Sequence, residues 1–102
     1  MELYLVSKRE NTLLRRKEVY FKIKYNGSTP SRKEIREKIA GLLNADLDRI
    51  IVDFIKPEFG KTEAHCYAKI YNTPEDLRAI ESKHMIRKNF GEEGNGKESK
   101  GE

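Results

Sequence analysis

Arg15, Arg16 and Lys17 stand side by side where a hairpin loop is expected, after Asn11-Thr12-Leu13-Leu14 and before the alternating run Val19-Tyr20-Phe21-Lys22-Ile23-Lys24-Tyr25. Adjacent cations held at a sheet edge can meet phosphate oxygens through charge-assisted hydrogen bonds with little reorganisation. The chemistry they offer is recognition of a polyanion, not bond making, although basic loops also occur as plain solvated turns. A second basic group, Arg32, Lys33, Arg36 and Lys38, lies on one helical segment with Glu34 and Glu37 among it. That group reads first as a solvated outer surface, where the Glu34–Lys38 pair contributes only about 0.3–0.5 kcal/mol. A third group, Lys83, Arg87 and Lys88, follows the last expected helix and suits a segment that orders along a groove on binding, against the plainer alternative of a frayed terminus. From charge and position, the expected phosphate contacts are Arg15, Arg16, Lys17, Arg32, Lys33, Lys83, Arg87 and Lys88.

The residue types that carry catalysis or bind metals do not assemble. His65 and His84 are far apart in sequence without a second ligand pair nearby. Cys66, the one cysteine, sits beside Ala68 on an expected core face and reads as a small buried hydrophobe. Gly60-Lys61-Thr62 is a fragment of a phosphate loop without its glycine framework, and Asp46, Asp48 and Asp53 lack the glycine and glutamate of a calcium loop. No catalytic residue, metal or cofactor is expected. The exposed face of one strand, His65, Tyr67, Lys69 and Tyr71, mixes rings with charge, and such rings can stack on bases. Ordinary packing with wet hydroxyls is the stronger reading for Tyr67 and Tyr71.

These groups require a scaffold, and the hydrophobic pattern supplies one. Residues 2–9 read as a first strand, 10–16 as a loop and 17–25 as a second strand, with Val19, Phe21, Ile23 and Tyr25 on a buried face and Glu18, Tyr20, Lys22 and Lys24 on the other. A helix starts near Pro30-Ser31, where Ser31 and Glu34 form a capping box and Thr29 with Pro30 is a competing cap. Ile35, Ile39, Leu42 and Leu43 give its apolar face, and Asn44 a left-handed stop. Residues 49–56 are apolar on both faces and predict an interior strand. Gly60 turns the chain into a fourth strand over 62–71, with Cys66, Ala68 and Ile70 facing the core. Thr73-Pro74-Glu75-Asp76 starts a short helix carrying Leu77 and Ile80. The fold class is therefore α+β in the order ββαββα, a four-stranded, mainly antiparallel sheet with helices packed on it. Residues 1–90 form a single domain and 91–102, without an apolar residue, a disordered polar tail.

The 102 residues carry 36% apolar and 37% charged side chains, with a net charge of +4. The charged share is high against a typical value of about 25%. Lys97 and Lys100 stand against Glu92, Glu93, Glu98 and Glu102, so the tail is net −2 and the domain +6. A basic domain attracts phosphate, acidic proteins or anionic lipid, and charge alone does not choose among them. No apolar run approaches the roughly 20 residues of a membrane span, nor does the start carry the apolar core of a signal peptide, so a cytoplasmic chain without a membrane partner is expected.

Three segments together resemble the small-subunit ribosomal protein numbered twenty-four, of the archaeal and eukaryotic type, over residues 2 to 90. Asn11-Thr12-Leu13-Leu14-Arg15-Arg16-Lys17-Glu18 is similar to that family's Asn-Pro-Leu-Leu-x-Arg-Lys/Arg-Glu, with Thr12 in place of proline. Thr29 to Lys38 resembles its helix start, and Phe59-Gly60 with Tyr67-Ala68-Lys69-Ile70-Tyr71-Asn72-Thr73 its signature strand. The chain departs from that signature at Glu63-Ala64, where a basic and then a small residue are usual, and at Cys66, where glycine is usual. Its short tail makes it closer to the archaeal type. The resemblance implies a non-catalytic ribosomal component, cytoplasmic with the ribosome, whose partners are ribosomal RNA and neighbouring small-subunit ribosomal proteins, with no small-molecule substrate; the isolated chain is expected to be monomeric. Reversing the charge of Arg15 and Arg16 together is expected to weaken association with the particle without unfolding the domain. Two other readings remain open on the sequence. One is a cytosolic interaction module docking an acidic partner. The other is an acylphosphatase-like enzyme using Arg15 and Asn72, which lacks the cradle of backbone donors such chemistry needs.

Overall fold

The computed structural model describes residues 1–94. Its elements are β1 (Glu2–Asn11), β2 (Arg16–Lys24), α1 (Arg32–Leu43), a single 3-10 turn (Leu47–Arg49), β3 (Ile50–Pro57), β4 (Glu63–Tyr71), α2 (Pro74–Ile80) and α3 (Lys83–Gly94). The strands form one four-stranded antiparallel sheet in the order β1-β2-β4-β3. This is the expected α+β architecture, with a third helix added.

The alternation in β2 places Val19, Phe21, Ile23 and Tyr25 on a buried face, and α1 lies across it with Ile35 and Ile39 fully enclosed. The short side chains Ala64, Cys66 and Ala68 of central β4 floor the same cluster. Burying each of those isoleucines contributes about 1.5–3 kcal/mol. The capping box forms as expected: Ser31 Oγ accepts from Glu34 N–H at 3.2 Å and Glu34 Oε1 accepts from Ser31 N–H at 2.9 Å. Asn44, at φ 56°, ends the helix in the left-handed region.

Three expectations need correction. β3 is an edge strand, not an interior one. Ile50, Ile51 and Val52 are nevertheless buried, because α1 covers one face and Leu77 of α2 packs with Ile51 and Tyr71 on the other. Leu42 is exposed at the margin of the helix stripe, while Arg36, expected outside, is buried within it. The segment after Lys83 is a helix rather than a frayed terminus. Met85, Ile86 and Phe90 recur at helical spacing against α2, and Ser82 Oγ accepts from Met85 N–H at 3.2 Å at its start. α3 runs to Gly94, so residues 91–94 of the expected tail are helical, and 95–102 lie outside the described residues.

Candidate nucleic-acid interface

The basic knot is held rather than loose. Asn11 Oδ1 accepts from Leu14 N–H at 3.0 Å, Arg15 adopts φ 54°, and Arg15 O accepts from Asn72 N–H at 3.0 Å. The hairpin is thereby tied to the end of β4. A left-handed non-glycine residue is costly unless its surroundings enforce it, and these backbone bonds do so.

The left-handed turn at Arg15 and the alternation of β2 from Arg16 send the three cations different ways. Arg15 is exposed and pairs with Asp76 of α2 at 3.1 Å. Arg16 points inward: its Nε donates to Glu18 at 2.9 Å and its Nη1 to the Tyr71 hydroxyl at 2.7 Å. Lys17 emerges on the opposite face of the sheet, exposed, beside Lys8 and Arg49.

Arg16 belongs to a buried ionic network. Glu18 also accepts from Arg9 and Asn11, both at 3.1 Å. Tyr71 donates a short hydrogen bond to Glu81, and Lys69 bridges Glu81 at 2.7 Å and Asp53 at 3.4 Å. Burial pushes the Glu18 pKa up, but the hydrogen bonds from Asn11, Arg16 and Arg9 outweigh it and hold the carboxyl below its usual value. Burial, then the bond to Glu81, raises the Tyr71 hydroxyl. The expected aromatic face of β4 is therefore only partly a surface. Tyr71 and Lys69 are buried in this network, while Tyr67 stacks on Tyr20 with centroids 4.6 Å apart, leaving His65 exposed against Glu58 at 2.6 Å.

Arg32 and Arg36 also serve the fold. Arg32 donates to the carbonyls of Val52 (3.2 Å) and Asp53 (3.1 Å) along the free edge of β3. Arg36 donates to the carbonyls of Ile50, Leu47 and Asn89, with its guanidinium 4.1 Å from the Phe90 ring centre. Lys33, Lys83, Arg87 and Lys88 are exposed. Together with Lys17 they enter no ion pair among the described residues. The structure thus separates the expected contacts. Lys17 lies near Arg15 at the hairpin, Lys33 in the first turn of α1, and Lys83, Arg87 and Lys88 on α3. Sequence reasoning missed Lys8 and Arg49, which join Lys17 around one cleft. Their convergence depends on strand register, Lys8 opposite Val19 and Lys17 opposite Ile70, and on the 3-10 turn that carries Arg49, none of which a local sequence signal reports.

Residues at the departures from the signature have partners. The Glu63 carboxylate is met by Lys22 at 3.2 Å and Lys24 at 4.0 Å, so it is not a bare negative charge. Cys66 is fully buried, and burial pushes its thiol up to about 12. No cluster of three His, Cys, Asp or Glu side chains able to hold a metal occurs among the described residues. None of their helices is long and apolar enough to cross a membrane.

Comparison with known proteins gives the class first: this is a ribosomal protein, structural rather than enzymatic. The model of ribosomal protein S24e matches residues 1–90. The small ribosomal subunit protein eS24 of Archaeoglobus fulgidus is 58% identical over 91% of this chain and 84% of its own length. The proteins of that name from Methanococcus aeolicus, 44% identical over both whole chains, and Methanosarcina mazei, 37% identical over 97% of this chain and all of its own, are also similar. The chain belongs to the ribosomal protein S24e family.

Proposed function

We propose that the chain is a constituent of the small ribosomal subunit that binds ribosomal RNA through phosphate contacts and touches neighbouring ribosomal proteins, acting in the cytoplasm as part of the ribosome. One observation carries this reading. The carboxylates Glu18, Asp53, Glu58, Glu63, Asp76 and Glu81 are each engaged by cations of the same chain, whereas Lys17, Lys33, Lys83, Arg87 and Lys88 are left exposed and unpaired among the described residues, at the hairpin, the start of α1 and along α3. The exposed carboxylates Glu10, Glu37, Asp48 and Glu75 are also without an ion pair there, and all four lie outside α3. Free cations, unlike paired ones, release counterions from a phosphate backbone without first breaking an internal bond.

The test is binding of the full chain to small-subunit ribosomal RNA across a salt series. Each phosphate neutralised steepens the log–log slope by roughly 0.7–0.9, so several contacts give a steep loss of affinity with salt. Sedimentation of native extract at low and moderately high salt is the companion measurement. Migration with the small subunit at both salts is expected. A protein that stays at the top of the gradient and binds RNA without salt dependence overturns the reading.

A further inference from the structure

We propose that the cleft beyond the C-terminal end of α1 is a phosphate site, and that its occupant is a backbone phosphodiester of ribosomal RNA. The choice of RNA as the source rests on the function proposed above; the preference for an anion rests on the cleft itself. α1 ends at its Asn44 cap, and Leu43, Asn44 and Ala45 there form one wall of a cleft against β1, β2 and the end of β4. The gap is about 220 Å³, lined by Lys8, Lys17 and Arg49 together with Asn44, Asn72 and Tyr71 over an apolar floor that includes Val19 and Ile70. It is smaller than the roughly 300–1,000 Å³ of sites for drug-sized ligands, and its scale suits a single charged group.

No carboxylate is among the lining residues. Two clefts at the opposite end of the sheet include Glu2 and Glu63 in one case and Glu34 in the other, so a lining free of carboxylates is not a general property of the surface. Lys8 and Lys17 form no ion pair among the described residues. They converge because Lys8 faces Val19, Lys17 faces Ile70, and both side chains share the face that carries the core.

Arg49 is positioned in advance. Its Nη1 donates to the carbonyls of Tyr71 and Asn72, each at 3.3 Å, which fixes the guanidinium plane. Its Nε is buried without a hydrogen-bond partner, 4.0 Å from Asp46. Its Nη2 makes no hydrogen bond among the described residues, leaving a donor for an incoming oxygen. Three features oppose an anion. Glu10 stands opposite Lys17 in the β1–β2 register, two residues from Lys8 on the same strand face, but it is exposed, so solvent and salt screen it. Asp46 is highly exposed, so solvent and salt screen it. The helix C-terminus is equivalent to about half a negative charge, against the full charges of three side chains.

The experiment uses the full chain and the double variant Lys8→Gln/Lys17→Gln, with Lys56→Gln on the far end of β3 as a charge control. Ribosomal RNA binding is measured over a salt series, and amide NMR shifts are followed during titration with the RNA and, separately, with inorganic phosphate. The expected result is a slope reduced by roughly 0.7–0.9 for one lost phosphate in the double variant, little change in the control, and RNA-induced shifts at Lys17, Asn44, Ala45 and Asn72 that vanish in the double variant. Wild-type RNA binding with an unaltered slope and no cleft shifts overturns the site while the RNA-binding reading stands. Cleft shifts with inorganic phosphate alone, and an unaltered RNA slope, identify a free-phosphate site and overturn the RNA assignment. Absence of wild-type binding to RNA overturns both. Unchanged thermal unfolding of the double variant, expected for exposed lysines, excludes a folding defect as the cause of any loss.

Discussion

The carboxamide of Asn89 occupies the hydrogen-bonding positions beside Val52 that a fifth strand would fill: its Oδ1 accepts from Val52 N–H at 2.7 Å and its Nδ2 donates to Val52 O at 3.2 Å. Val52 lies on the edge strand, next to the irregularity between Val52 and Phe54. Arg32 and Arg36 from α1 satisfy the carbonyls of Asp53 and Ile50 on either side. A helix and one amide thus close an edge that would otherwise be a template for intermolecular pairing.

Asn89→Ala should therefore destabilise the domain by about 1–3 kcal/mol, because it leaves the buried Val52 N–H without an acceptor. Denaturant unfolding measures the loss. The exposed edge should also raise concentration-dependent association, visible in light scattering well below the unfolding midpoint. A variant as stable as the wild type would mean that α3 does not hold the edge in solution.

Glu18 predicts the acid behaviour of the same fold. Its pKa is lowered from the usual 4.5 in the folded state, where Asn11, Arg16 and Arg9 donate to it. A lowered folded pKa means that the unfolded chain takes up the proton first. The stabilisation is present above the ordinary carboxylate range and is lost as pH falls through the folded value. Glu18→Gln should be less stable than wild type at neutral pH, and the gap should narrow steadily below pH 4.5. Unfolding midpoints across a pH series check it; a gap that stays constant down to acid would remove Glu18 from the account.

Much of this scaffold was legible in the sequence, and the parts that were not share a cause. Period-two alternation in β2 and the Ser31–Glu34 box are local signals, and local geometry decides them. The edge position of β3 was hidden because apolar residues on both faces report cover on the faces, not a neighbour at the side. α3 was hidden because its apolar residues Met85, Ile86 and Phe90 are separated by exposed Lys and Arg, and only the Ile51–Tyr71–Leu77 cluster gives them something to pack on. The candidate interface divided in the same way. A cation's charge can be read from sequence, but whether a carboxylate already holds it depends on partners such as Tyr71 and Glu81, far along the chain.

Cys66 gives a probe of opening. It is fully buried in the β4 floor of the core, and burial pushes its thiol up to about 12, so very little thiolate exists at neutral pH. Thiol reagents should label the native protein only as fast as the core opens, with a rate that rises with denaturant in step with unfolding. Rapid labelling under native conditions, at the rate of a free thiol, would contradict the packing of β4 beneath α1.

The two neighbouring arginines of the hairpin should separate cleanly on substitution. Arg15 is exposed and its pair with Asp76 is a surface contact, so Arg15→Gln should change stability by no more than about 1 kcal/mol. Arg16 donates to Glu18 and to Tyr71 and lies 3.7 Å from Glu81. Arg16→Gln should cost on the order of 1.5–3 kcal/mol, the worth of hydrogen bonds to charged groups, since buried acceptors then lose their donor. Charge reversal at both positions, expected from sequence to leave the domain folded, should instead place a carboxylate against Glu18 and Glu81 and destabilise it. Loss of particle association in that double variant would then report unfolding as much as a lost contact. The informative comparison is Arg15→Glu alone against Arg16→Gln alone, each measured for thermal unfolding and for binding to ribosomal RNA. Weaker binding at unchanged stability for the first, and lower stability for the second, is the expected outcome. An Arg16 variant that unfolds like wild type and yet binds RNA less tightly would show that its guanidinium leaves the network to reach phosphate.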